Sequence, residues 1–479
     1  MSEQTPGLHQ APPARSATLR RTLSWLPLAF AAACVPQNAG YDDVQNVVSR
    51  TGHEVRWRQL DRVGKLDKEA SAILAAPLTA DGAVKLALLN NAELQALFEE
   101  LGMARGDLIQ ALRLPNPSAE GGLQYEDAGA PDVELTLSQD LSELILLPLR
   151  NRAAQAGFAA MKLDVAGRAM DFILEVRKAF YGYVADQQLL ELRKTVLDAL
   201  QASASAAEAI HGAGNMTELD LSSQQVLYEE ARVSYSSAET ALATSRERLN
   251  ALLGLWGKDT TWRVTERLPD PEAVRVDSLE GPAVARSVEL ATIRQRATAA
   301  AQKADLARIR GWLPELKAGV AFEREEGEWS TGPMAEIELP IFYQGQGEVA
   351  RAEAEMRREK QLYNGMVVRV RAALRAVQVR ASTARDRALY LKNTLLPMRE
   401  RILEQTQLQF NAMNTSVFQL LIARRDQVEA GRSYVESLRE YWLANADLEQ
   451  LLAGRLPDGA MAGPSVAATA QPSGAAGDH

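Results

Sequence analysis

The sequence predicts a mainly α-helical protein with a small membrane β part. Three observations predict this fold class: long stretches rich in Ala, Leu, Glu, Gln and Arg, an aromatic content of only 6%, and a pattern of elements that occurs twice. Each copy reads as helix, strand, strand, long helix and return helix. Such a composition is typical of extended helices, so we expect one continuous duplicated structure and not several compact globular domains.

Residues 1–33 read as an export signal peptide. Basic residues precede a ten-residue apolar run at 24–33, which is too short to span a bilayer. Cys34, the only cysteine in the chain, follows directly, and its position resembles the lipid-attachment cysteine of bacterial lipoproteins. We therefore expect a lipid anchor at Cys34. Ordinary signal-peptidase cleavage stays open as an alternative, because Ala31 stands where lipoprotein signals usually carry Leu.

The duplication is visible as residue pairs that recur 199 positions apart. These pairs include Leu114-Pro115 with Leu313-Pro314, Asn215 with Asn414, Leu221 with Leu420, Ser234-Tyr235 with Ser433-Tyr434, and Leu252-Leu253 with Leu451-Leu452. A constant offset over a span of about 140 residues is hard to obtain without duplication. The predicted organisation is a lead segment at 34–80, a first repeat at 81–254, a connecting segment at 255–280, a second repeat at 281–455 and an Ala/Gly/Pro-rich tail, expected to be disordered, at 456–479.

Three helices are predicted in each repeat: a first helix, a very long helix and a return helix. Their expected bounds are 83–113, 149–212 and 217–253 in the first repeat, and 283–311, 346–411 and 416–453 in the second. The return helices carry a narrow stripe of small and apolar residues at 3-4 spacing, which favours coiled-coil packing against the long helices. At 1.5 Å per residue the long helices would measure roughly 95 to 100 Å. Pro397 is expected to interrupt and bend the second one.

Two short alternating segments follow the first helix of each repeat and predict strands. Alternation is clearest at 316–323, 336–341 and 132–138, weaker at 123–125, and the intervening loops are expected at 127–131 and 325–333. Strands of about ten residues suit an outer membrane, but four strands cannot close a barrel. Three chains would supply twelve. We therefore predict a 12-stranded β-barrel shared by three chains, with Val320 and Leu339 facing lipid.

The doubled order of elements resembles the TolC family of outer-membrane efflux channels. The resemblance extends to the segment Glu338-Leu-Pro-Ile-Phe-Tyr-Gln-Gly-Gln-Gly347 and to the helix endings at 249–254 and 448–454, and it covers about residues 80 to 455. It looks closest to the lipoprotein channels of resistance-nodulation-division exporters, including heavy-metal and copper exporters. It implies a homotrimer in outer-membrane lipid, in which a trimeric α-barrel is continuous with the shared 12-stranded β-barrel and spans into the periplasm. The implied partners are a periplasmic adaptor (membrane fusion protein) and an inner-membrane resistance-nodulation-division pump.

The same resemblance assigns roles to the two turns between long and return helices. The adaptor-contacting tips would comprise Gly214, Asn215, Thr217, Met413, Asn414 and Ser416. Asp220 matches a family position that holds the periplasmic entrance closed, and Gln419 stands where some relatives place a pore-facing carboxylate. The alternative is that these residues only reverse the chain, since Gly or Asn permits the left-handed turn that a helical hairpin needs.

Catalysis and nucleic-acid binding have little support in the sequence. The four histidines are scattered and the cysteine is alone, so no Cys/His pair is expected to bind a metal or activate a nucleophile. A net charge of −9 and a pI near 5.3 disfavour nucleic acid as a partner. We expect no enzymatic activity, no cofactor and no metal site.

Two other functions stay open. A type I secretion channel would have the same fold. A periplasmic adaptor or coiled-coil scaffold lipoprotein would also be helical, but it should flank one hairpin with compact β domains, whereas this sequence predicts two hairpins. The sequence does not identify the cargo, for which heavy-metal ions such as copper are one candidate.

Overall fold

The computed structural model describes residues 40–57, 66, 68–125, 131–273, 279–325 and 328–460. The predicted signal peptide, Cys34 and most of the predicted tail lie outside these ranges. Within them the chain is largely helical, with one four-stranded sheet. None of the helices in these ranges combines the length and the apolar character that a bilayer crossing requires.

The elements follow the predicted duplicated order. The first half contains α1 (Tyr41–Val48), α2 (Lys68–Ala75), α3 (Ala80–Asn90), α4 (Ala92–Ala111), β1 (Ser118–Gln124), β2 (Asp132–Asp140), α5 (Ser142–Gly212) and α6 (Glu218–Leu253). The second half contains α7 (Glu280–Arg286), α8 (Val288–Trp312), β3 (Glu315–Glu325), β4 (Glu328–Glu338), α9 (Gln346–Tyr390), a π-helical turn (Leu391–Leu395), α10 (Leu396–Asn411) and α11 (Val417–Ala453). The predicted fold class, a mainly α chain with a small β part, is confirmed.

The prediction of a single first helix in each repeat is wrong. That segment is two helices, because Asn91 begins α4 and Ser287 begins α8. The Asn91 side chain accepts the Leu94 N–H at 2.9 Å, and the Ser287 hydroxyl accepts the Leu290 N–H at 3.3 Å. Capping side chains of this kind satisfy helix-start N–H groups and so favour a new helix over continuation of the old one.

The C-terminal end of a return helix contacts each of these two breaks. The Asn91 side chain donates to the Leu252 carbonyl at 3.0 Å, and the Val288 N–H donates to the Gly454 carbonyl at 2.7 Å. Gly254 and Gly454 end the return helices at φ 65° and 104°. A Cβ at Gly254 would lie 2.6 Å from the Asn90 carbonyl oxygen, so this contact requires glycine. The first and last helices of each repeat therefore meet at one junction.

The strand boundaries of the second repeat also differ from the prediction. Most of the segment at 325–333, predicted as a loop, belongs to β4, and residues 339–341 lie beyond that strand. β3 and β4 pair residue by residue, and Val320 lies opposite Pro333. Within the single chain β4 is an edge strand, a position where proline is tolerated. Pairing with β3 therefore stabilises a strand here, although Gly332 and Pro333 are residues typical of loops.

The two long helices are not identical. α5 has 71 residues, begins seven residues before its predicted start and would measure roughly 105 Å if straight. The predicted interruption near Pro397 takes the form of the π-helical turn, in which the Leu396 N–H donates to the Leu391 carbonyl five residues back. The second long helix is therefore divided into α9 and α10.

The apolar core surrounds the middle of α5. It is formed by buried residues of α1, α3, α4, α5, the end of α6 and the connecting segment, among them Val44, Leu86, Met170, Leu253 and Trp262. Beside this core, Arg455 donates to Asp171 at 2.9 Å and pairs with Glu289 at 3.2 Å. The Arg455 guanidinium lies against Gly167, where a Cβ would come within 2.6 Å of it. These contacts fasten the end of the second repeat to the long helix of the first.

Candidate channel-forming sheet and helical tips

The four strands form an antiparallel sheet in the order β1-β2-β3-β4, and the two faces of this sheet differ sharply. Paired residues of neighbouring strands point to the same face, and successive residues alternate between faces. Most large apolar residues share one face: Leu123, Val133, Leu135, Leu137, Leu316, Val320, Phe322 and Ile337. Arg324 also lies on this face, at the hairpin end, and Met334 lies on the other face. This segregation is the pattern of a membrane strand with one lipid-facing and one water-facing side.

The opposite face carries all ten acidic residues of the strands. They are Glu120, Asp132, Glu134, Asp140, Glu315, Glu323, Glu325, Glu328, Glu336 and Glu338. Lys317 is the one basic residue of the strands on this face, where it pairs with Glu336 at 3.2 Å. The polar side of the sheet is therefore strongly anionic, a property that the alternation of hydrophobic residues alone did not reveal.

Exposed aromatic residues lie beyond both ends of the apolar face. Tyr125 and Trp329 lie at the hairpin end of the sheet, and Trp312, Phe342 and Tyr343 lie at the end that joins the helices. Phe342 is 92% exposed in the single chain. Aromatic girdles at both membrane–water interfaces are a feature of outer-membrane barrels. The sheet and its flanks therefore have the chemistry of a membrane segment.

The two outer strands, β1 and β4, each have an edge that is unpaired in the described part of the chain. The helices show the same incompleteness. α5 packs against α8 and α11 of the second repeat, just as β2 pairs with β3. Within the described residues, α9 and α10 form no comparable packed interface with α4 or α6. The surface formed by α9 and α10 therefore lacks, within one chain, the helix partners that α5 has.

Apolar side chains mark these incomplete surfaces. Val368 and Val379 of α9 are 67% and 63% exposed, whereas Ala169 and Phe180, which stand 199 positions earlier in α5, are 0% and 2% exposed. On the opposite side of the chain, α6 exposes Val233. Two different, complementary surfaces of this kind join copies head to tail, and a rotation that closes yields a ring.

The first tip is a tight turn between α5 and α6. Gly214 adopts the left-handed conformation at φ 76°, its N–H donates to the His211 carbonyl at 2.8 Å, and the Asn215 N–H donates to the Ile210 carbonyl at 3.1 Å. Thr217 then begins α6 by accepting the Asp220 N–H at 3.2 Å, and its hydroxyl donates to the Asp220 carboxylate at 2.7 Å. This is the hydrogen-bond pattern of a Schellman turn followed by an N-cap.

The second tip repeats this geometry with a different residue at the strained position. Met413 has φ 58° and is the only non-glycine residue with positive φ among the described residues. The Asn414 N–H donates to the Gln409 carbonyl at 2.9 Å, and Ser416 accepts the Gln419 N–H at 3.4 Å. The Thr415 hydroxyl donates to the Gln419 side-chain oxygen at 2.6 Å. The residue that takes the left-handed turn is therefore Met413, and not the expected Gly or Asn.

The structure places Asp220 and Gln419 at equivalent positions, three residues after a capping hydroxyl. Each side chain accepts a hydrogen bond from a threonine of its own tip. Their role in holding the periplasmic entrance closed stays a prediction, as does contact of the tips with an adaptor. An ion pair that the sequence analysis missed joins α10 to α11, between Arg399 and Asp426 at 2.9 Å. Arg399 lies 14 residues before Met413 and Asp426 lies 13 residues after it, so opposite charges at nearly the same distance from the turn could have indicated this pair.

No group of three or more His, Cys, Asp or Glu side chains is arranged to hold a metal ion in the ranges that the structure describes.

We predict that Met413→Gly stabilises the second tip by about 0.5 to 1 kcal/mol, because left-handed backbone costs a non-glycine residue about 1 to 2 kcal/mol and glycine returns part of that gain as chain entropy. Gly214→Met should destabilise the first tip. Urea titration of both purified variants measures the two shifts. Met413→Gly also separates the two roles of the tip: unchanged export indicates a simple turn, whereas lost export in a more stable protein indicates a partner contact through Met413.

Comparison with known proteins agrees with this geometry. No family model matches the chain. The cobalt-zinc-cadmium resistance protein CzcC of Cupriavidus metallidurans is 23% identical over 395 residues, which cover 79% of this chain and 90% of CzcC. The probable efflux pump outer membrane protein TtgC of Pseudomonas putida is 26% identical over 240 residues, covering 48% of this chain and 47% of TtgC.

Solved structures have the same fold. The outer membrane channel CmeC of Campylobacter jejuni matches with a TM-score of 0.68 at 17% identity, covering 79% of this chain and 86% of CmeC. CusC matches with a TM-score of 0.65 at 16% identity, covering 78% and 91%. A membrane protein from Pseudomonas aeruginosa matches with a TM-score of 0.67 at 17% identity, covering 83% and 95%. The chain is thus similar in sequence to the resistance protein CzcC and to an efflux pump outer membrane protein, and it has the fold of solved outer-membrane channels.

Proposed function

We propose that this protein is the outer-membrane channel subunit of a tripartite efflux system and acts as a passive conduit, not as an enzyme. The observation that carries the proposal is the four-stranded sheet, which is apolar on one face, anionic on the other and open at both edges. Unpaired strand edges are not tolerated in lipid, so membrane insertion requires closure with other copies. Three sheets supply twelve strands, about the number at which a barrel has an open lumen.

In this arrangement the apolar face meets outer-membrane lipid and the ten carboxylates line the water-filled lumen. The helices continue the conduit into the periplasm, and α5 alone is long enough to extend roughly 105 Å. Its far end is the first tip, next to Gly214. We propose that the tips contact a periplasmic adaptor, which in turn joins an inner-membrane resistance-nodulation-division pump.

Two observations support heavy-metal cations as cargo. The relative CzcC is named for resistance to cobalt, zinc and cadmium, and it matches over most of its length. The lumen face of the sheet is anionic, which raises the local concentration of cations and lowers that of anions.

A type I secretion channel is the alternative with the same fold. An adaptor or scaffold lipoprotein is disfavoured, since the described residues form two hairpins on one shared sheet.

We also propose a lipid anchor at Cys34, because this lone cysteine directly follows the predicted signal peptide.

We expect mass spectrometry of the mature N-terminus to show a lipidated Cys34. Cys34→Ser should abolish the modification and leave membrane association to the barrel alone. A parent protein that begins at another residue and carries no lipid would remove the anchor from this proposal.

Barrel closure is testable with a neighbouring pair of substitutions in β3. Val320→Arg places a charge on the apolar face and should cost about 2 to 4 kcal/mol near the membrane midplane, so trimers should be lost from the outer-membrane fraction. Ala321→Arg, one residue away on the lumen face, should leave trimers intact. Light scattering of the detergent-solubilised proteins measures the assembly. Equal effects of the two variants, or a conducting monomer, would rule out the closed barrel.

The function itself is tested in planar bilayers with a salt gradient. We expect the parent trimer to conduct with a reversal potential that indicates preference for cations, and the double variant Glu134→Gln/Glu323→Gln to reduce that preference, because these residues are paired on the lumen face. Glu54→Gln, an exposed carboxylate outside the sheet, is the matched control. Absence of any conductance contradicts the channel, whereas an unselective conductance contradicts only the cationic cargo.

A further inference from the structure

The apolar face of the sheet carries a single charge. Arg324 is the only charged residue on this face of the four described strands, whereas the ten carboxylates and Lys317 lie on the opposite face. Strand pairing places Arg324 between Val133 of β2 and Trp329 of β4. A charge on a lipid-facing side is unfavourable unless its depth in the membrane or an ionic partner compensates for it. Both the depth of Arg324 and its partner therefore need an explanation.

The described part of the chain does not supply that partner. Arg324 is half-buried, and its Nε atom is shielded from solvent without a hydrogen-bond acceptor among the described residues. Its sequence neighbours Glu323 and Glu325 alternate to the opposite face, so the sheet separates their carboxylates from the guanidinium. Lys317, by contrast, pairs with Glu336 at 3.2 Å. The ionic partner that Lys317 has on its own face is therefore lacking for Arg324.

The depth of Arg324 agrees with the boundary of a membrane. Arg324 lies eight residues from Leu316 along β3, a span of roughly 26 Å along the strand. Strands of outer-membrane barrels are tilted by about 35 to 45°, so this span covers about 20 Å along the membrane normal. The apolar band of such barrels is about 25 Å tall, and a charge at its edge costs much less than a charge at the midplane. Arg324 therefore lies where lipid headgroups begin.

The orientation of the sheet places this boundary in the outer leaflet. The helices join the strands at the other end of the sheet, where α5 begins two residues after β2 ends. In the proposed arrangement these helices extend into the periplasm, so the hairpin end faces outward. The outer leaflet of such a membrane consists mainly of phosphorylated glycolipids. The anions nearest to Arg324 are therefore lipid phosphates.

The surroundings of Arg324 suit a lipid headgroup. Trp329 is 60% exposed and Tyr125 is 77% exposed, both at the hairpin end, and aromatic rings of this kind lie at headgroup level. Phe322 lies two residues deeper on the same face, where acyl chains would contact it. The guanidinium group presents a planar fork of donors that matches the oxygens of a phosphate. One headgroup could thus meet aromatic, apolar and cationic side chains together.

The opposite face of the sheet disfavours free anions at the same level. Glu134 and Glu323 are paired there, so a soluble anion that enters the lumen meets a negative potential. An anion held in the leaflet by its acyl chains approaches from the lipid side, where Arg324 is the nearest charge of the described strands. The arrangement therefore favours a phosphate carried by a lipid over free inorganic phosphate.

We infer that Arg324 binds the phosphate of an anionic lipid in the outer leaflet, with one site in each chain. The inference rests on the proposed function, because the sheet must stand in an outer membrane with its hairpin end outward. In the closed barrel the sites would form a ring around the outer rim. This ring would fix the depth of the barrel in the leaflet, whereas the lumen carboxylates contact the cargo.

Binding is tested on the purified full-length protein in neutral detergent, with lipid A as the phosphorylated probe and native mass spectrometry as the measurement. Arg324→Gln should weaken lipid A binding about five-fold, the factor expected for one cation beside an anionic lipid surface. Arg324→Lys keeps the charge and should retain most of the binding. The Gln variant only removes a charge from an apolar face, so insertion of the sheet should not suffer.

The matched control is Lys317→Gln, which removes the other basic residue of the strands from the lumen face and should leave lipid A binding unchanged. Dephosphorylated lipid A should bind equally weakly to the parent and to Arg324→Gln. Equal binding of lipid A to these two proteins, or equal binding of both lipids to the parent, would overturn the site. Competition by an equal concentration of inorganic phosphate would overturn the preference for a lipid.

Planar-bilayer recordings of the parent keep this inference separate from the proposed function. A parent that conducts but binds lipid A independently of Arg324 loses the lipid site and remains a channel. A parent that binds lipid A through Arg324 but shows no conductance contradicts the channel and retains the lipid site.

Discussion

The unpaired edges of the four-stranded sheet are the constraint on which the rest of this structure depends. A backbone N–H or C=O without a partner costs several kcal/mol in hydrocarbon, and here two whole strand edges, those of β1 and β4, are exposed in the single chain. An isolated chain with this sheet cannot be stable in a membrane. In the proposed barrel, closure with further copies would remove these edges and would bury the exposed apolar positions on α6 and α9 in the same step.

The duplication explains how several copies could close into a ring by using one kind of interface. Inside the chain, the first repeat already meets the second through β2 with β3 and through α5 with α8 and α11. A neighbouring copy would form the same kind of interface if its first repeat contacted the second repeat of this chain. In the proposed ring, the interface between chains would repeat the interface within one chain, as head-to-tail contact requires.

The two repeats have nevertheless diverged, and the differences are concentrated in the second. It carries the left-handed Met413 in place of Gly214, the π turn before Pro397 and the interior Gly431. Each of these features reduces local helix stability by a modest amount. The first repeat, by contrast, contains the continuous α5 around which the core is built. The first repeat is thus built on one uninterrupted long helix, whereas the second long helix is divided by the π turn.

The sequence by itself determined the duplication, the order of elements, the bounds of the return helices and the tip positions, because hydrophobic spacing, capping residues and constant offsets are local properties of the chain. It did not determine the breaks at Asn91 and Ser287, the extent of β4 through Pro333, or the anionic face of the sheet. Each of those features depends on a neighbouring part of the fold. The helix breaks lie where the end of a return helix packs, and β4 extends through Pro333 because it pairs with β3. The anionic face exists because the strand register brings carboxylates from four strands together. Tertiary contact between residues far apart in sequence decided them, since no local pattern specifies the partner.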